Sequence, residues 1–388
     1  MGLSDSAPDS SDLEQGGNFL AWISRGTIES FTSAVKSTPA LMVELERIDF
    51  TPDAIAAFAN AHGFHFTGAE LSDYLERKIE NDLSERDLRH RRELLERRDR
   101  GDIPVPVPMD RDCAAGGQVL DYEDGFTLDR RGILEGESIA ARQVPAIADL
   151  VAVIREVLVR AFYPHAPREA HGKLDLETYT RIVKETYEAF LEDERIHPIM
   201  TTLVEQMGMD PARVIYEWPG FRLVFPEGSP APGFYRTTVS GFLPAHRDTW
   251  YGSPQHQINL WGPVWPIAAD ATLQIFPRYY LKSIENATLG YDIWRQYVGL
   301  GLAPAIRETV DRDRVVAPPL EVGDVFCFAT HHLHASAVHS GDTTRISFEL
   351  RLLHRDDEGA DYVPPNIDYY GCGEIYKGWY GPDGKEIT

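Results

Sequence analysis

The sequence predicts an α+β protein with a β-sandwich or jelly-roll core, flanking helices and a small all-α domain in front. Three observations carry this. After Pro211 the chain breaks into short runs rich in β-branched and aromatic residues, RVIYEW, FRLVF, FYRTTVSGF, HQINLWGPVW, ATLQIF, DVFCFA and RISFELRLL, punctuated by Gly and Pro. Between Val144 and Glu194 the apolar residues of AIADLVAVIREVLVRAF and LETYTRIVKETYEAFLEDE recur at helical spacing. The first 75 residues carry three shorter helical patterns with start and stop signals of their own. No repeat stands out at a spacing of about 20–50 residues, which argues against a solenoid or propeller.

Taken in order, Phe19, Trp22, Ile23, Ile28, Phe31 and Val35 form the first helical stripe, closed by Pro39. Thr51-Pro52 supplies an N-cap with proline at the first helical position, and Gly63 is the stop beyond Ile55, Phe58 and Ala59. Thr67 with Glu70 makes a capping box for a third helix carrying Leu71, Tyr74 and Leu75. Residues 76–101 are strongly charged and read as a solvent-exposed helix laced with i,i+4 pairs. Pro104, Pro106 and Pro108 in alternation force an extended connector, so a domain boundary is expected there. The expected domains are 17–75, a linker over 76–110, and a large domain over 111–388 whose β core spans about 211–355.

Composition narrows the function. The 388 residues exceed one typical domain, and 43% hydrophobic with 26% charged residues is a globular balance. A formal net charge of -23 argues against nucleic acid or anionic lipid as partner, since both require basic patches. Cys113, Cys327 and Cys372 are too far apart for a CxxC knuckle or a disulfide framework, and no apolar signal core follows Met1, so a cytoplasmic protein is expected. No apolar run reaches the length of about 18 residues a membrane helix needs.

The chemistry-bearing residues fall in the β-rich half. His246-Arg247-Asp248 can converge two side chains on one ion at a turn, while a third ligand must come from elsewhere; His334, 88 positions on, is the candidate. Two histidines and one carboxylate leave three positions open on iron. Strand alternation puts Arg345, Ser347, Glu349 and Arg351 on one face, opposite Ile346, Phe348 and Leu350. Pointing inward, Arg345 could fork onto a carboxylate and Ser347 donate to it; pointing outward, they would be a surface ladder of charge. Asn259 alternates with Ile258 and Leu260 and could bond the same ligand. Trp250 is a candidate pocket wall or a core residue, and Arg236 and Arg351 are candidate substrate anchors or surface ion pairs.

Two stretches resemble known families. FTSAVKSTPALMVELERIDFTPDAIAAFANAHGFHFTGAEL looks like the leader-like domain named after nitrogen-fixation operons and found on ribosomal peptide precursors. That resemblance implies a docking handle over residues 17–75 for a protein partner; the plainer alternative is a stabilising helical appendage. DVFCFATHHLHASAVHSGDTTRISFELR, with His334 eleven residues before Arg345-x-Ser347, resembles the phytanoyl-hydroxylase-like branch of the Fe(II)/2-oxoglutarate oxygenases. HRDTWYGSPQHQINLWGPVWP and PPNIDYYGCGE extend the resemblance over about 211–375. It implies a double-stranded β-helix, Fe(II) on His246, Asp248 and His334, and 2-oxoglutarate on Arg345, Ser347 and Asn259. O2 is the second cosubstrate, and the outcome is hydroxylation or desaturation of an unactivated C–H bond in a small metabolite or a carried peptide. His331, His332 and His339 crowd His334, and His339 lies twelve residues before Arg351, so the register has a competitor.

Overall fold

The computed structural model describes residues 16–38, 41, 44–82, 85–100, 117–121, 126–226, 245–268, 271–292, 304–311, 315–337, 341–358, 368–371 and 378–387. The chain forms two compact units. One comprises Met1–Pro104 with Ala287–Pro304 and Tyr370–Gly373, and the other Val105–Asn286, Ala305–Tyr369 and Glu374–Thr388. The alternating prolines of the expected linker, Cys113, Cys372 and the run FYRTTVSGF lie outside the described residues.

The first unit holds helices α1 (Gly16–Ser37), α2 (Pro52–Ala61), α3 (Gly68–Asp82) and α4 (Glu85–Asp99). Thr51 caps α2 by accepting from the Ala54 N–H at 3.2 Å. Thr67 and Glu70 form the reciprocal capping box at the start of α3, with Thr67 N–H donating to Glu70 Oε2 at 2.7 Å and Glu70 N–H to Thr67 Oγ1 at 3.2 Å. The core of this unit is built round Phe31, whose ring meets Phe58, Phe64 and Phe66 edge-on at 6.4, 5.4 and 5.6 Å. The charged helix α4 departs from the expected solvated pattern at Arg91, which is only 7% exposed. Its guanidinium forks onto Glu76 at 2.7 and 2.8 Å and reaches Asp292 at 3.0 Å, so burial is compensated by two acids off its own helix.

The described residues of the second unit build a seven-stranded sheet. Its strands are β1 (Gly117–Asp121), β2 (Ser138–Arg142), β3 (Val214–Val224), β4 (Ile258–Pro263), β6 (Val325–Ala329), β8 (Arg345–His354) and β9 (Trp379–Tyr380), in the order β1-β2-β6-β4-β8-β3-β9. Among the described strands only β1 and β2 pair in parallel. A small antiparallel sheet pairs β5 (Leu273–Ile275) with β7 (His334–Ser336), and isolated bridges at His246–His334 and Ile275–Val316 extend it on both sides. RVIYEW and FRLVF, expected as two strands, are one: Pro219-Gly220 is absorbed in a bulge between Glu217 and Gly220 of β3.

One face of the large sheet is apolar. Ile346, Phe348, Leu350 and Leu352 of β8 and Ile258 and Leu260 of β4 pack with helices α6 (Pro145–Phe162), α7 (Leu176–Leu191) and α8 (Ile196–Gln206) in one core. The short α5 (Arg130–Leu134) adds Ile133 and Leu134 to it. On the opposite face Ala140, Trp261, Phe326 and Phe328 pack with Leu273 and Ile275 of the small sheet. Arg345, Ser347, Glu349 and Arg351 share this second face, since cross-strand partners such as Asn259–Arg351 and Trp261–Glu349 project to the same side. No described helix is long and apolar enough to cross a membrane.

The approach of β4 to its neighbours depends on Gly262. An added Cβ there would sit 2.5 Å from Asp324 O and 2.6 Å from the Phe348 ring. Gly262→Ala is expected to cost about 1–3 kcal/mol by overpacking, read as a lower denaturation midpoint.

Candidate metal centre

His246 and His334 are a directly opposed backbone pair. His246 N–H donates to His334 O and His334 N–H to His246 O, both at 2.9 Å, which turns the two imidazoles to one side with ring centres 4.2 Å apart. Asp248 opens a one-turn helix, Asp248–Tyr251, closed by Gly252 at φ +80°. The turn returns its carboxylate, so that Oδ1 lies 3.4 Å from His246 Nε2 and 3.6 Å from His334 Nε2. All three residues are buried, with one ligand atom from each within 4.8 Å of the others, a set able to hold a metal ion.

Neighbours set which atoms face inward. His334 Nδ1–H donates to His332 O at 3.0 Å, leaving the Nε2 lone pair toward Asp248. Burial, then the His246 ring, push the His334 pKa down to about 3 against the pull of Asp248, so the imidazole is neutral and able to ligate. Burial alone would push the Asp248 carboxyl up, but a hydrogen bond from His246 and the charge of Arg351 oppose it and hold it well below the carboxylate range.

The second oxygen of Asp248 is occupied by protein. Asn259 Nδ2 donates to Oδ2 at 2.7 Å, Gln257 Nε2 donates to Asn259 Oδ1 at 2.6 Å, and Arg351 Nε lies 3.6 Å from Oδ2. Asn259, expected from the sequence to meet the cosubstrate, directs its amide at the Asp248 carboxylate. Arg351, expected as a substrate anchor, is ion-paired with Glu217 and lies 3.8 Å from Glu349. Glu349 in turn takes a fork from Arg222 at 2.5 and 3.1 Å.

Arg345 and Ser347 are treated differently. Arg345 is 2% exposed, donates to Ala271 O and Ser336 Oγ at 3.2 Å each, and lies 5.7 Å from the Trp261 ring centre. Its Nε and the Ser347 hydroxyl are buried without a hydrogen-bond partner among the described residues. Burial, and then Arg222, push the Arg345 pKa down to about 10. Such burial is incompatible with a surface ladder.

The remaining candidates separate by their contacts. His331 Nε2–H donates to Gln255 O at 2.9 Å; His332 accepts from Ala329 N–H at 3.1 Å and donates to Gly136 O at 3.1 Å. Both are spoken for by backbone, and His339 and Arg236 lie outside the described residues. Trp250 is fully buried with Phe276, Ile284, Leu333 and Ala335, its indole N–H donating to Asp368 at 2.9 Å. Tyr251 stacks on His246 at 5.0 Å. Gln257, Glu217, Arg222, Arg247 and Asp368 were not among the residues expected at the site; only Gln257 carried a sequence signal, its alternation with Asn259.

Residues 24–71 match the Nif11 domain, bearing out the leader-like resemblance read over 17–75. No curated protein matches the sequence. Among solved structures the chain is similar to EvdO2 from Micromonospora carbonacea var. aurantiaca, at 15% identity over 63% of this chain and 99% of that one, with a TM-score of 0.38. It is also similar to the non-haem α-ketoglutarate-dependent carbocyclase SnoK from nogalamycin biosynthesis (14%, 56% and 79%, TM-score 0.29). A third is the epimerase SnoN solved with Fe3+, α-ketoglutarate and nogalamycin RO (14%, 58% and 83%, TM-score 0.33).

Asn259→Leu removes the donor to Asp248 Oδ2 without adding charge. It is expected to weaken divalent-metal affinity about 10–100-fold, measured by Co(II) titration of metal-stripped protein.

Proposed function

We propose that the protein is a cytoplasmic non-haem Fe(II)- and 2-oxoglutarate-dependent oxygenase that hydroxylates or desaturates an unactivated C–H bond. Its substrate is a small specialised metabolite or a carrier- or leader-borne peptide. One observation carries the reading: a buried His-Asp-His cluster stands beside a buried guanidinium, Arg345, which reaches Ser336 of the strand that carries His334 and has no ion-paired carboxylate among the described residues. In this reading the two sheets are the halves of a double-stranded β-helix.

The donor set fits iron. Two imidazoles and one carboxylate oxygen, with the other oxygen of Asp248 held by Asn259, leave room for a chelating ligand and O2. Bound iron would activate O2, with 2-oxoglutarate oxidised to succinate and CO2 as the substrate C–H bond is oxidised. His246, Asp248 and His334 hold the metal. Arg345 and Ser347 supply unsatisfied donors for the distal carboxylate of 2-oxoglutarate, and Trp261 backs the guanidinium. Charge agrees: Asp248, Glu217 and Glu349 balance Arg351, Arg222 and Arg345, and a divalent cation with a dianion preserves that balance. The buried inner face excludes water.

A second reading, a binding scaffold that docks a partner through residues 24–71, draws on the Nif11 match. Anaerobic addition of Fe(II) and 2-oxoglutarate separates the two. The oxygenase should develop a visible charge-transfer band and release succinate on exposure to O2, whereas a silent scaffold would do neither. Arg345→Ala should lose about 2–5 kcal/mol of cosubstrate binding, at least about 30-fold in affinity, while retaining the metal.

A further inference from the structure

We propose that Arg247, the middle residue of the His-Arg-Asp turn, and its partner Asp368 are positioning residues that set the two ligand-bearing segments at metal-binding distance. This rests on the metal reading above. Arg247 is 1% exposed, and all five of its N–H groups are donated. Nε reaches Asp368 Oδ2 at 3.0 Å; Nη1 reaches Tyr280 O at 3.2 Å and His331 O; Nη2 reaches Tyr279 O at 2.5 Å and Lys282 O at 2.6 Å. One planar group therefore joins the turn carrying His246 and Asp248 to the turn that delivers His334, three residues after the His331 carbonyl.

Asp368 fixes the guanidinium from behind. Its Oδ1 accepts from the Trp250 indole at 2.9 Å, and its Oδ2 accepts from Ile284 N–H at 3.1 Å as well as from Arg247. The carboxylate thus ties the residue two beyond Asp248 to the segment after Lys282. The planar fork makes each of these angles specific, and a lysine, with three donors on a flexible stem, cannot meet five acceptors. Loosening either member should spread the ligands, because the backbone pair between His246 and His334 aligns their main chains but does not hold Asp248.

The test uses full-length, metal-stripped protein and two variants, Asp368→Asn and Arg247→Lys, titrated with Co(II) and followed by d–d absorption, with Gly262→Ala as a destabilised control away from the ligands. The positioning role predicts that Asp368→Asn keeps the native circular dichroism yet binds Co(II) about 10–100-fold more weakly with an altered band shape. Gly262→Ala should lower the unfolding midpoint and leave affinity and band unchanged. Arg247→Lys should follow Asp368→Asn; if it does not fold, Asp368→Asn decides. Wild-type affinity and spectrum in Asp368→Asn, with only the midpoint lowered, would reduce the pair to general stabilisation and overturn the proposal. Wild-type protein that takes up no Co(II) would instead remove the metal reading itself.

Discussion

A carboxylate buried to 5% exposure at Asp248 is the demand that organises the rest of the second unit. Taken out of water alone it would cost several kcal/mol or protonate. The chain keeps it charged with a hydrogen bond from His246 at one oxygen and Asn259 and Arg351 at the other. That compensation creates further demands. Arg351, half-buried, pairs with Glu217 and Glu349, and Glu349 pairs with Arg222. The polar face of β8 and β3 is therefore a relay of paired charges set off by one acid.

The relay keeps its orientation because the other face of the same strands is apolar. Ile346, Phe348, Leu350 and Leu352 lie in one core with residues of α6, α7 and α8. A slip of one residue in β8 would send that row into the charged layer and Arg345 and Ser347 under the helices, a change no local interaction could offset. The helices, remote from the chemistry, thus decide which side of the sheet carries it.

This also explains what was legible in the sequence. The two faces of β8, the His-Arg-Asp turn and the caps at Thr51 and Thr67 are local patterns with periods of two to four residues, and each reads directly. What escaped depends on partners far apart in the chain. Arg91 reads as one more charge in a solvated helix until Glu76 and Asp292 are beside it. Pro219-Gly220 reads as a strand break because the bulge that absorbs it is a property of pairing with β8. Asn259 has the right position but a different partner, since alternation gives the face and not the neighbour across it. Arg247 and Asp368 are 121 residues apart and share no pattern at all.

Arg247 and Arg345 form an internal comparison. Both guanidiniums are nearly inaccessible, so both carry the full cost of desolvation. At Arg247 the fold meets that cost completely, with a carboxylate and four carbonyls for five N–H groups. At Arg345 the described residues supply one carbonyl and one hydroxyl, leave Nε without an acceptor, and place the equally unsatisfied Ser347 hydroxyl two residues away on the same face. An unmet buried donor costs about 1–3 kcal/mol, more when charged. The same chain can satisfy a buried arginine, and in the proposed reading a carboxylate-bearing ligand would meet the deficit at Arg345. Stability is given up at the residue where binding would recover it.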